Sequence, residues 1–197
     1  MCAMSLAQTL PARRGTHALR AVPPVDRTHD PRWAELVCAP NFECAGVLED
    51  AVSATPSLHA DTWALELLAP GARALRIAAV HHPRPSHARG LELALRSLPR
   101  LAEDELQGAV IRRGEFALHR GDRGLLSPAA RARLHVLRAR SWISVPLLVE
   151  AHVVGALSVA RSAGPALNER DALALACCAL QIEACWREAL AALTSAR

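Results

Sequence analysis

The sequence predicts an α/β chain of the α+β type, a central antiparallel β-sheet flanked by helices. Three observations predict it. Two β-rich runs, residues 141–150 and 152–162, meet at Glu150-Ala151-His152, a join so short that only an antiparallel hairpin can form. A second pair of runs, 61–68 and 74–82, is broken by the turn dipeptide Pro70-Gly71. The segments between and after these pairs repeat their apolar residues every three or four positions, so helices must cover the sheet.

Taken in order, residues 1–30 carry Pro23-Pro24 and no hydrophobic period, and read as a flexible N-terminal tail. One domain is expected over 31–197, with a core at about 42–193. Asn41 is placed to cap a helix through Cys44, Val47, Leu48 and Val52. The strand 61–68 sets Trp63, Leu65 and Leu67 on one face, because side chains alternate. Residues 86–98 are helical through Leu91, Leu95 and Leu98, and 106–113 form a short helix stopped by Gly114. A short strand at 115–119 follows. Ser127-Pro128 opens the next helix, since serine caps and proline suits the first helical turn. Asn168 caps a long last helix to about 193. On it Leu175, Ile182 and Ala189 form one seven-residue line, with Cys178, Cys185 and Ala192 beside it.

Composition excludes several classes. With 197 residues, 51 % apolar and 21 % charged, the chain is globular and long enough to bury a core without disulfides or metal. No apolar run approaches the roughly 18 residues of a membrane span. The first basic pair follows, rather than precedes, the first apolar stretch, which is the wrong order for a secretory signal; the expected location is cytoplasmic. The net charge is +4 and every basic residue is arginine, yet only 3 % of residues are aromatic. No basic stretch alternates with stacking side chains, which argues against a nucleic-acid partner. The six cysteines form no C-x-x-C and no zinc-spaced cluster with histidine, so no metal site is expected and the thiols read as core.

With its elements in this order the chain resembles a GAF domain over about three-quarters of its length. HADTWALELL (59–68) with LRIAAVHHPRP (75–85) is similar to the paired first strands of GAF modules found beside bacterial sensor histidine kinases and serine phosphatases. LQGAVIRRGEFAL (106–118) resembles that family's short helix, glycine and strand. RARSWISVPLLVEAHVVGALSVARS (138–162), then LNERDALALACCALQIEACWREA (167–189), resemble its last hairpin and closing helix. The resemblance implies a sensory or regulatory role without catalysis, in bacterial signalling such as a two-component system: small-molecule binding, dimerisation through terminal helices, and transfer of the bound state to an output module. The last helix closes within a few residues of Arg197, so the expected output is a separate signalling partner. A pure interaction module without ligand is the alternative, and a tetrapyrrole-binding or redox protein a weaker one. Neither weaker case finds its residues. No cysteine lies between Pro56 and Arg170, where the methionine-sulfoxide-reducing members keep theirs, and the bilin-attaching Cys-His pair is absent; no cofactor is expected. The family's cyclic-nucleotide signature needs a lysine that this chain lacks.

The candidate pocket residues are Trp63, Leu65, Trp142 and Ser144 on the strands, with Arg120 and Arg123 from a run of eight arginines and two acids between Arg112 and Arg140. Guanidinium forks suit carboxylate or phosphate, so an anionic ligand is the corresponding expectation. The simpler reading, which the sequence favours, makes the two tryptophans core and the arginine run a solvated face. Ser144 needs a hydrogen-bond partner if buried. Leu175, Ile182 and Trp186 are the candidate homodimer surface.

Overall fold

The computed structural model describes residues 31–38, 42–68, 75–98, 107–121 and 126–195. The elements are α1 (Pro31–Cys38), α2 (Cys44–Ala54), β1 (Thr62–Leu68), β2 (Leu75–His81), α3 (Pro85–Ser97), α4 (Gln107–Arg113), β3 (Ala117–Arg120), α5 (Pro128–Val136), β4 (Ser141–Val149), β5 (His152–Arg161) and α6 (Glu169–Ser195). The five strands form one antiparallel sheet in the order β2-β1-β5-β4-β3. No helix of the described residues is long and apolar enough to cross a membrane.

Local chemistry sets the element ends. Ser127 Oγ accepts a hydrogen bond from the Ala130 N–H at 3.2 Å ahead of Pro128. Asn168 Oδ1 accepts from the N–H groups of Arg170 and Asp171, while Asp171 Oδ2 accepts from the Asn168 N–H at 2.7 Å; this reciprocal box starts α6. Gly114 ends α4 in the left-handed region at φ 65°. In β5, Gly155 lies against β1 so closely that a Cβ would drive into the Glu66 carbonyl oxygen, which explains the glycine of the V-x-G-x-L run.

The structure adds one helix and corrects one expectation. Residues 31–38 form a helix of their own, α1, a stretch too short to show a clear hydrophobic period in the sequence. The helix expected from Asn41 starts at Cys44, with Glu43 at the cap position and no side-chain capping bond; Asn41, the tail 1–30 and the Pro70-Gly71 turn lie outside the described residues.

The sheet separates two apolar layers. On one face α1, α2 and α6 cover Trp63, Leu65, Leu67, Ile143, Val145 and Leu157 in a continuous core. On the other, α3 and α5 pack over Ile77, Trp142 and Ala160, and α4 over Leu68, Leu75 and Ala156.

Candidate functional site

Cross-strand register assigns each candidate residue to a face. Trp63 aligns with Val159 and Ile143, and Leu65 with Leu157 and Val145, all inside the α6 layer. Trp142 aligns with Ala160, and Ser144 with Ser158, on the opposite face. The expectation of one pocket lined by all four is therefore corrected: the sheet itself lies between Trp63 and Leu65 and the pair Trp142 and Ser144. Ser144, fully buried, obtains its partner from Ser158, whose Oγ donates to Ser144 Oγ at 2.9 Å. Trp142 is also fully buried, and its Nε1 has no hydrogen-bond partner among the described residues.

The arginine run disperses. Arg120 is exposed and its Nε donates to the Leu167 carbonyl at 2.8 Å, tying β3 to the approach to α6. Arg123 lies outside the described residues. Arg133 reaches inward, and its Nη1 donates to Glu66 Oε1 at 2.5 Å. Glu66 is 1 % exposed, and its Oε2 accepts a hydrogen bond from Gln107 Nε2. This buried cluster joins β1, α4 and α5. Sequence reasoning passed over it, although the signal was present: an acid in a strand with apolar residues on both sides must find a cation or lose its charge.

The candidate dimer line also turns inward. Leu175, Ile182 and Trp186 are at most 2 % exposed, packed in the chain's own core, and Trp186 lies 5.2 Å from Trp33 by ring centroids. The seven-residue spacing identified residues that share a face; that face covers the sheet. The outward face of α6 instead carries Leu173, Cys177 and Leu180.

On the α3–α5 face, a cleft of about 650 Å³ opens at one end of the sheet. Its floor is Asp61, Thr62 and Ser162, at the start of β1 and just past the end of β5. One wall is the β2–α3 junction and first turns of α3, including His82, Arg84, His87, Gly90 and Leu91. The other is the end of α5, Val136, Leu137 and Arg138. Asp61 Oδ2 accepts from Ser162 Oγ at 2.6 Å and from the Ser162 N–H. His82 Nδ1 accepts from the Arg84 N–H at 3.0 Å, and its ring lies 5.2 Å from that of His87. Burial and the neighbouring His87 lower the His82 pKa, favouring the neutral imidazole. A smaller cavity of about 230 Å³, lined by Ile77, Leu95, Leu98 and Arg133, lies between β2 and the last turns of α3. None of the candidate residues chosen from sequence lines either cavity.

Thiol chemistry is weak where it is buried. Desolvation raises Cys44 to about 11 and raises Cys178 as well, so both are protonated thiols at neutral pH. Among the described residues no group of histidine, cysteine and acidic side chains could hold a metal ion.

No protein-family model matches the sequence, and no curated protein matches it. Solved structures do. The photoproduct state of GAF3 from Slr1393 of Synechocystis sp. PCC6803 superposes with a TM-score of 0.60 at 14 % identity, over 77 % of this chain and 99 % of that one. The GAF domain of a Coxiella burnetii phosphoenolpyruvate-protein phosphotransferase gives 0.55 at 18 % identity, over 85 % and 94 %. The GAF domain of a two-component sensor histidine kinase from Bacillus halodurans gives 0.54 at 18 % identity, over 71 % and 90 %. At such identities the likeness concerns the fold. This chain has a GAF-like fold, an antiparallel five-stranded sheet flanked by helices.

Proposed function

We propose that this protein is a non-catalytic sensory or regulatory domain of bacterial signalling, acting in the cytoplasm, that binds a small molecule in the 650 Å³ cleft and passes its state to a signalling partner. The cleft carries the reading: it has the size of a small-ligand site, and its walls belong to different elements, so an occupant would bridge α3 and α5. The solved domains of like fold include a sensor kinase's, which agrees with a sensory role. Nucleic acid is not among the proposed partners.

Native mass spectrometry of protein freshly purified from a bacterial host tests the reading. The expected spectrum shows extra mass that leaves on denaturation and is missing from Gly90→Leu, whose new side chain would project from a cleft-lining position where a Cβ meets nothing within 4 Å. A ligand-free spectrum, or extra mass retained by Gly90→Leu, would remove the cleft from the account.

A second reading, an interaction module, is favoured by Leu173 and Leu180 on α6, which are 48 % and 55 % exposed. A ligand-free homodimer that dissociates in Leu180→Glu would support it.

A further inference from the structure

Three residues of the cleft are poor choices for their local backbone, and they are poor in ways that suit one kind of ligand. Arg84 occupies the position before α3, where it makes no side-chain capping bond and sets a cation against the positive end of the helix dipole; the first turn holds no acid to offset it. Arg138 follows α5 with φ 48°, in the left-handed region that favours glycine. Gly90 lies inside α3, where alanine or leucine would hold the helix better, and a Cβ there would meet nothing within 4 Å. All three line the same cleft. Local rules are broken together where function requires it.

From this convergence we infer that the cleft binds an organic oxyanion, a carboxylate or phosphate on a compact apolar body, whose charge is held by Arg84 and Arg138. The inference rests on the cleft being the ligand site proposed above and supplies the chemistry of its ligand. Among the described lining residues Asp61 is the one acid, and the N–H and hydroxyl of Ser162 already bind its carboxylate. Among the described residues neither guanidinium forms an ion pair. Leu91, Val136 and Leu137 provide the apolar wall. A bound oxyanion would offset the repulsion at the start of α3 and give the strained Arg138 a role that glycine could not fill.

The test uses substitutions that improve the local structure while removing the site. Serine at position 84 is a good helix cap, and glycine at 138 suits the left-handed backbone. The double variant Arg84→Ser, Arg138→Gly should therefore melt at or above the parent temperature. Phenyl phosphate, benzoate and neutral benzyl alcohol are titrated at low ionic strength, with the imidazole resonances of His82 and His87 as reporters. The expected result is at least a tenfold loss of affinity for both anions in the double variant, with benzyl alcohol changed less than twofold. Gly90→Leu should weaken all three probes, and the tighter of the two anions in the parent identifies phosphate or carboxylate as the preferred head group. Anion affinities within twofold of the parent in the double variant, with Gly90→Leu still blocking binding, would overturn the oxyanion assignment and leave the sensory reading standing. If no probe moves either imidazole, both readings fall.

Discussion

Glu66 lies in the middle of the sheet, 1 % exposed, with one carboxylate oxygen paired to Arg133 and the other accepting from Gln107. Removing one partner of such a pair leaves an uncompensated buried charge, which typically costs about 3–5 kcal/mol, whereas neutralising both is far less damaging. Arg133→Met should therefore lower unfolding stability by about that amount, and adding Glu66→Gln should recover most of it; urea unfolding of the two single variants and the double measures this directly. Additive losses would show the pair to be energetically independent. Glu183 poses a different problem. It is buried on α6 and accepts the Leu148 N–H at 2.7 Å, at the point where the β4–β5 register shifts. Burial raises its pKa above the ordinary 4.5, outweighing that hydrogen bond. A carboxyl that holds its proton more tightly when folded contributes stability that is complete below the unfolded pKa and is lost as pH rises through the higher folded value. The parent should thus weaken from about pH 4.5 upward relative to Glu183→Gln, which keeps an acceptor for Leu148 and carries no charge. Parallel stability curves for the two proteins across that window would refute the assignment.

At the scale of elements, the β4–β5 hairpin holds a reserve of stability. Glu150 and Ala151 both adopt positive φ, 49° and 67°, the backbone of a tight hairpin turn that Asn-Gly fits best. Each side chain in the left-handed region costs about 1–2 kcal/mol. Against this stands the Arg32–Glu150 ion pair at 2.7 Å, whose side chains are 38 % and 48 % exposed; such pairs contribute about 0–1 kcal/mol. Glu150→Asn with Ala151→Gly should raise stability by about 1 kcal/mol or more, read as a higher thermal midpoint. A lower midpoint would mean that the tie to α1 outweighs the turn. Signals carried within a few residues were legible from sequence in just such places: Ser127-Pro128, Gly114 and Asn168 mark real helix ends. The failures involved partners distant in sequence. The α1 helix has eight residues, too few for a clear period, and it is held by Trp33 against Trp186 on the far end of the chain. Leu175 and Ile182 were rightly grouped on one face, but only β4 and its neighbours decide that this face is the inner one.

The whole molecule divides its work between the two sides of the sheet. The α1–α2–α6 side is one unbroken apolar cluster running from Trp33 to Leu190. The α3–α4–α5 side is two smaller clusters, and the Glu66–Arg133 pair and both cavities lie on it. Sequence could not reveal that asymmetry, because Trp63 and Trp142 look equivalent until the register places them on opposite faces. Apolar burial sets how much a segment must give up to open, so resistance to opening should be uneven in the same way. Amides of β1, β5, β4 and the middle of α6 should exchange with solvent only through global unfolding. Those of α3 and α5, which carry the cleft walls and cover less apolar surface, should exchange through a lower-energy local opening, at least tenfold faster under native conditions. Native-state hydrogen exchange in increasing urea separates the two classes: the slow class should follow the full denaturant dependence of unfolding, and the fast class a shallow one. Equal protection of α3 and α6 would mean that the sheet transmits rigidity evenly. The cleft would then be a fixed cavity, and an occupant could signal only by adding charge or surface. Unequal protection identifies α3 and α5 as the elements an occupant can order, the physical requirement for a ligand's presence to be felt beyond the cleft.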